Sequence, residues 1–185
     1  MYFKKMAGEK CYLSPVSLED AEIFTRWLND EEVTRSLELY SAVITLHGEK
    51  EALVSLSKNH NYSIIDSKSN ELLGNCGLMD INHLNRSAEA GIFIGNKNYW
   101  NRGYGTEALS LLIDFAFKRL NLHNIMLRVY AFNERAIACY RKVGFKIIGT
   151  RREALQRDLK IHDIIYMDIL PADFYGTAKK DVSSL

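Results

Sequence analysis

The chain has 185 residues, 47% hydrophobic and 25% charged, which is the composition of one globular domain with a sizeable core rather than of a disordered segment. Lys and Arg total 24 against 23 Asp and Glu, so the net charge of +1 supplies no broad field for nucleic acid or an anionic membrane, and any charge recognition must be local. Three cysteines without C-x-x-C spacing (Cys11, Cys76 and Cys139) and five scattered histidines argue against a disulfide scaffold or a metal centre, and for a reduced, cytoplasmic protein.

The N-terminal MYFKKMAGEK has basic residues but no apolar core, so no secretory signal is expected. Lys10 to Ser14 reads as a short strand. Ser17 with Asp20 makes a start resembling a capping box, for a helix that turns Leu18, Ala21, Phe24, Trp27 and Leu28 inward and ends near Asn29. A second helix is expected over Gly48 to Ser57. Three strands follow, Tyr62 to Asp66, Leu72 to Met79 and Ala88 to Gly95, separated by the turn-rich SKSN and NHLNRS. The pattern then changes to helix (Thr106 to Leu120), strand (Ile125 to Tyr130), helix (Glu134 to Val143) and two closing strands around Phe145 to Thr150 and Ile161 to Ile169. The most apolar long segment, residues 108 to 117, is broken by Asp114 and falls short of the ~20 residues of a spanning helix. Pro15 and Pro171 bracket a stretch without linkers or repeats. One α+β domain with a mixed sheet is expected over 10–171, followed by a polar, aperiodic and loosely held tail, 172–185.

Between the third strand and the long helix stands NYWNRGYGTEAL, in which Gly103 to Ala108 satisfies the G-x-G-x-x-A form of the dinucleotide fingerprint. That fold places its first glycine directly after the strand and an acid about 20 positions later. Neither condition holds: NKNYWNR separates Gly95 from Gly103, and no acid lies between Asp114 and Glu134. The Gly-Lys-Ser/Thr of a nucleotide triphosphatase loop is also missing. A pyrophosphate site on a different fold survives, because free N–H groups at a helix start favour any phosphate; glycines of this kind also serve simply as a strand-to-helix turn.

The stretch EAGIFIGNKNYWNRGYGTEAL, followed by LNLHNIMLRVYAFNERAIACYRKVGFKIIG, resembles the GNAT superfamily of acetyl-CoA-dependent N-acetyltransferases over roughly residues 10 to 171. It is most similar to the branch of the Rim-type ribosomal-protein and spermidine N-acetyltransferases. The resemblance implies the acyl-CoA N-acyltransferase fold, a mixed, mostly antiparallel sheet splayed at its centre and flanked by helices. The family motif Gln/Arg-x-x-Gly-x-Gly/Ala falls on Trp100 to Gly105, and Trp100 departs from its first position. Binding of the coenzyme A pyrophosphate is therefore expected to lean on backbone amides from Arg102, Gly103, Tyr104, Gly105 and Thr106.

By the same resemblance, backbone near Ile92, Phe93 and Ile94 pairs with pantetheine amides like a missing strand, and Asn133 contacts the pantetheine side. Tyr140 donates a proton to the departing thiolate. Asn133 and Gly144 suit the two ends of one helix, and Asn133 and Tyr140, seven apart, share a face; spacing alone also allows a core tyrosine. If the strand alternates regularly, Glu89, Gly91 and Phe93 face one side, and Glu89 is then the nearest acid and a candidate general base through water, or else a solvated strand end.

The acceptor amine must be neutral to attack. A peptide α-amine is about one-tenth neutral at pH 7, whereas a lysine requires a further ~3 kcal/mol. In this superfamily the acceptor wall comes largely from the first two helices, and here that region holds Asp30, Glu31, Glu32 and Glu38; they suit a cationic peptide end, a polyamine or an aminoglycoside, or form a solvated helix end. The expectation is an N-acetyltransferase on a protein or peptide N-terminus. The alternatives are a small-amine acetyltransferase and a non-catalytic acyl-CoA-binding module. No metal, nucleic-acid or membrane partner is expected, and a homodimer is left open.

Overall fold

The computed structural model describes residues 1–178. Strands β1 (Met6–Ala7), β2 (Cys11–Pro15), β3 (Asn61–Asp66), β4 (Leu72–Asn82), β5 (Ser87–Ile94), β6 (Asn124–Tyr130), β7 (Lys146–Arg157) and β8 (Lys160–Ile169) form a sheet in the order β1-β2-β3-β4-β5-β6-β8-β7. The helices are α1 (Ala21–Leu28), α2 (Glu31–Thr34), α3 (Leu46–Leu56), α4 (Tyr104–Arg119), α5 (Glu134–Val143) and α6 (Pro171–Ala178). The pairs β1/β2, β2/β3, β3/β4, β6/β8 and β7/β8 are antiparallel and β5/β6 is parallel, which is the mixed α+β architecture expected. No helix among the described residues is long and apolar enough to cross a membrane. The chain clusters into two compact units, Met1–Leu78 with Gly91–Leu112, and Met79–Ala90 with the chain from Ile113 onward.

In the first unit the core forms where α1 and α3 cover a sheet face: Tyr12, Phe24, Leu53, Ile65 and Leu72 are buried together, with Trp27 and Phe93 against them. The i, i+3, i+7 spacing of Ala21, Phe24 and Leu28 gives α1 its buried stripe, and Phe24 meets Trp27 and Phe93 edge to face. The capping box expected at Ser17 and Asp20 is corrected. Ser17 caps a 3₁₀ turn, Leu18–Asp20, and the Asp20 carboxylate instead accepts the Tyr2 hydroxyl at 2.8 Å. The tighter turn rotates Leu18 off the stripe, leaving it 47% exposed rather than inward. Thr45 caps α3 by accepting the Gly48 N–H, so this helix starts at Leu46, ahead of Gly48. The four-residue α2 and the 3₁₀ turn Glu38–Ser41 were not legible, since so short an element has no hydrophobic period.

In the second unit the parallel ladder comprises Ser87↔Asn124, Ala88↔Ile125 and Glu89↔Met126, and β6 pairs with β8 through to Tyr130. Asn133 and Gly144 bound α5 as expected: the Asn133 side chain accepts the Ala136 N–H, and Gly144 is left-handed at φ 114°. The β7/β8 hairpin is longer than expected, and β7 is mostly exposed, which hides its residues from any core pattern. The loose tail expected from 172 is corrected over its first part. Pro171 opens α6, and Phe174 and Tyr175 pack on Phe117, with the Tyr175 hydroxyl donating to Asp114 at 3.1 Å. Residues 179–185 of that tail lie outside the described residues.

Candidate active site

The first unit carries the glycine turn. Gly103 is left-handed at φ +86°, and the Glu107 N–H donates to its carbonyl, closing the first turn of α4. An α-helix leaves the N–H groups of its first turn, here Tyr104 to Thr106, outside its own ladder, at the positive end of its dipole. Side chains from distant segments hold this backbone. Tyr104 donates to Asp66 at 2.7 Å and Tyr99 to Glu71 at 2.8 Å, with the two rings edge to face at 5.1 Å. Glu107 accepts the backbone N–H groups of Glu9, Lys10 and Cys11 at 2.8–2.9 Å. Burial would raise the Asp66 carboxyl, but N–H groups of Ser69 and Lys68 and the hydroxyls of Tyr104 and Ser69 together hold it below its ordinary range. The bond to Asp66 in turn pushes the Tyr104 phenol up to about 12.

In β5, the Phe93 carbonyl oxygen crowds the place a side chain on Gly74 would take, so that carbonyl faces β4. Strand alternation then turns the backbone groups of Ile92 and Ile94 to the opposite edge. The Ile94 carbonyl already accepts the Trp100 indole N–H at 2.7 Å. The aromatic residue that departs from the family motif therefore ties the turn to the end of the strand.

The second unit carries Glu89, Asn133 and Tyr140. Glu89 is ion-paired with Arg128 at 2.7 Å, a partner two positions beyond its cross-strand neighbour Met126. The Asn133 oxygen is spent on the helix cap, and its NH₂ makes no hydrogen bond among the described residues. Tyr140 lies in α5 beside Phe145 and is only 9% exposed. Burial raises its phenol, and its hydroxyl finds no partner among the described residues. A hydroxyl without a protein acceptor keeps its proton available to a bound ligand.

Of the acids near the second helix, Asp30 caps α2 and pairs with Lys97 at 2.8 Å, and Glu32 pairs with the same ammonium at 2.9 Å. The Lys97 contact holds the Asp30 carboxyl down, aided by the Glu32 and Val33 N–H groups against its burial. Glu31 accepts the Tyr40 hydroxyl at 3.2 Å. An open concavity of about 360 Å³ is lined by Leu28, Asn29, Glu31, Thr34, Tyr40 and Ala42. Sequence reasoning found the acids but not Lys97, Tyr99, Asp66 or Arg128, whose partners are set by tertiary contacts with no local signal. Among the described residues no group of three or more His, Cys, Asp or Glu side chains could hold a metal ion.

Residues 10–146 match the family described as the acetyltransferase (GNAT) domain, and the chain belongs to that family of acetyl-CoA-dependent N-acetyltransferases. The chain is 28% identical over 173 residues to the uncharacterized N-acetyltransferase p20 of Bacillus licheniformis, covering 91% of this chain and 97% of that protein. It is 36% identical over 107 residues to the spermidine N(1)-acetyltransferase of Escherichia coli K12 (54% and 57% of the two chains), and 31% over 104 residues to "Putative ribosomal N-acetyltransferase YdaF" of Bacillus subtilis (55% and 56%). Among solved structures, the fold matches the spermidine N-acetyltransferase of Vibrio cholerae in complex with CoA and spermine, with TM-score 0.80 at 23% identity over 91% of this chain and 99% of that one.

Proposed function

We propose that the protein transfers the acetyl group of acetyl-CoA to the α-amine of a peptide or protein N-terminus, with residues 10–171 as its catalytic domain. In this reading Arg102, Gly103, Tyr104, Gly105 and Thr106 receive the pyrophosphate through backbone N–H groups, and Ile92, Phe93 and Ile94 lie along pantetheine, with the Asn133 amide as a further donor. The amine nitrogen attacks the thioester carbonyl carbon, and the carbon–sulfur bond of the tetrahedral intermediate breaks. Tyr140 gives its proton to the thiolate, and Glu89 takes the amine's proton through water. The free hydroxyl of a buried Tyr140 supports the proton-donor role, as it supplies a donor with no competing acceptor among the described residues.

The observation that carries the choice of acceptor is the commitment of Asp30 and Glu32 to Lys97. A polyamine is best held by several uncompensated carboxylates, whereas the concavity presents one, Glu31, beside Tyr40. A single carboxylate suits a single ammonium. The energetics agree, because an α-amine needs ~3 kcal/mol less deprotonation than a lysine and asks least of a site whose motifs contain no histidine. The second reading, a polyamine acceptor, is favoured by the relatives named spermidine N(1)-acetyltransferase.

Thiol release measured with short peptides bearing free and blocked N-termini, spermidine and an aminoglycoside, across pH 6 to 9, separates these readings. Free peptides are expected to turn over and blocked ones not. Turnover confined to spermidine transfers the assignment to the second reading. Acetyl-CoA is expected to raise the melting temperature where NAD does not.

A further inference from the structure

Lys10 stands outside every motif, yet both its ends meet the cofactor turn. Its backbone N–H donates to the Glu107 carboxylate at 2.8 Å, flanked by the same bond from Glu9 and Cys11, so the hairpin turn between β1 and β2 is rooted on the first turn of α4. Its ammonium reaches back to donate to the Arg102 carbonyl at 2.8 Å, and a Cβ on Gly103 would come within 3.2 Å of that nitrogen. Holding a lysine in one rotamer costs conformational entropy, and an ammonium at a helix N-terminus has the same sign as the dipole end. A bond kept at that cost calls for a role.

The peptide between Arg102 and Gly103 is the one it holds. Gly103 has no Cβ, so this peptide can rotate over at little steric cost, and Asn101 (φ 59°) and Gly103 (φ 86°) already put left-handed residues on both sides of Arg102. In a trans peptide the C=O and the following N–H point in opposite directions. We propose that Lys10 is a positioning residue of the cofactor turn: by capturing the Arg102 carbonyl it locks the peptide so that the Gly103 N–H points away from Lys10, outward with the donors that receive pyrophosphate. This rests on the reading of the turn given under Proposed function. Trp100, where the family motif carries Gln or Arg, is tied to Ile94, so the turn relies on backbone donors, and a flipped peptide would present a carbonyl to an anion.

Lys10→Met removes the ammonium and keeps the aliphatic reach. It is assayed with acetyl-CoA and with acetyl-pantetheine, which lacks the pyrophosphate. The expected result is a KM for acetyl-CoA raised about tenfold, as for loss of a charge-assisted hydrogen bond, with kcat at saturation and kcat/KM for acetyl-pantetheine unchanged, and with recovery in Lys10→Arg. Wild-type enzyme that uses both donors equally well overturns the pyrophosphate reading, and this proposal with it. Wild-type enzyme that prefers acetyl-CoA, with a Lys10→Met variant equal to it, overturns the lock alone. Equal losses with both donors, or a loss that vanishes at 0.5 M salt, also overturn it, the first by showing general destabilisation and the second by showing direct charge contact with phosphate.

Discussion

The glycine turn from Trp100 to Thr106 and the acidic segment from Asp30 to Ser41 belong to the same compact unit and are built by opposite means. The turn presents backbone: its side chains point to anchors, Trp100 to Ile94, Tyr104 to Asp66, Glu107 to the N–H groups of residues 9–11. The acidic segment presents side chains on two short helical pieces, and its charge is set by one lysine, Lys97. In the proposed reading the cofactor is met by anchored backbone, and the acceptor by a charge balance that a single substitution can reset.

The largest effects are expected on the cofactor side. Tyr140→Phe should lower kcat by roughly 10²-fold while acetyl-CoA affinity stays nearly intact, since only the proton is lost. An equally active variant would leave Tyr140 a packing residue beside Phe145. Gly105→Val should raise the KM for acetyl-CoA at least about tenfold and leave that of the acceptor unchanged, because a branched side chain obstructs the approach of phosphate to the backbone. Unchanged affinity would move the pyrophosphate elsewhere and remove one side of the contrast.

This contrast also decides what could be read from the sequence. Asn133 and Gly144 were legible because a cap and a left-handed C′ position are each fixed within a few residues. The mixed, mostly antiparallel character of the sheet followed from resemblance, and the strand order was not legible, because it is set by pairings between distant segments. Glu89 was legible as an acid on a strand but not as the partner of Arg128, and Asp30 and Glu32 looked like a negative surface until Lys97, 65 residues beyond Glu32, was found between them. Pairings made across such distances have no local signature. Asp20 shows the limit from the other direction, since its spacing from Ser17 fits a capping box and the Tyr2 hydroxyl took the carboxylate instead.

A smaller, more selective effect is expected at Lys97. Lys97→Met strips the ammonium from Asp30 and Glu32, and the Asp30 carboxyl, now held down chiefly by that contact, should rise toward its ordinary range. Without the ammonium the segment gains uncompensated negative charge. The ratio of kcat/KM for spermidine to that for a free peptide should rise several-fold and fall again with added salt. A ratio indifferent to the substitution would show that Asp30 and Glu32 do not face the acceptor, and the segment would lose its part in the comparison.

The smallest effect concerns stability alone, at Glu49 in the first turn of α3. Burial leaves this residue 5% exposed and pushes its carboxyl up to about 7. Two effects compete there: the helix N-terminus favours the anion by roughly 0.3–1 kcal/mol, and desolvation opposes it. The raised value shows that desolvation wins. An unfolded glutamate titrates near 4.3, so between about pH 4.3 and 7 the native state holds more proton than the unfolded state, and the contribution of Glu49 to stability declines as pH rises through this window before levelling off. Glu49→Gln cannot ionise and avoids that decline. Its melting temperature should match that of the wild type near pH 5 and exceed it by a few degrees at pH 8, with kcat/KM for acetyl-CoA unaffected. Parallel melting curves for the two proteins from pH 5 to 8 would mean that Glu49 ionises without penalty.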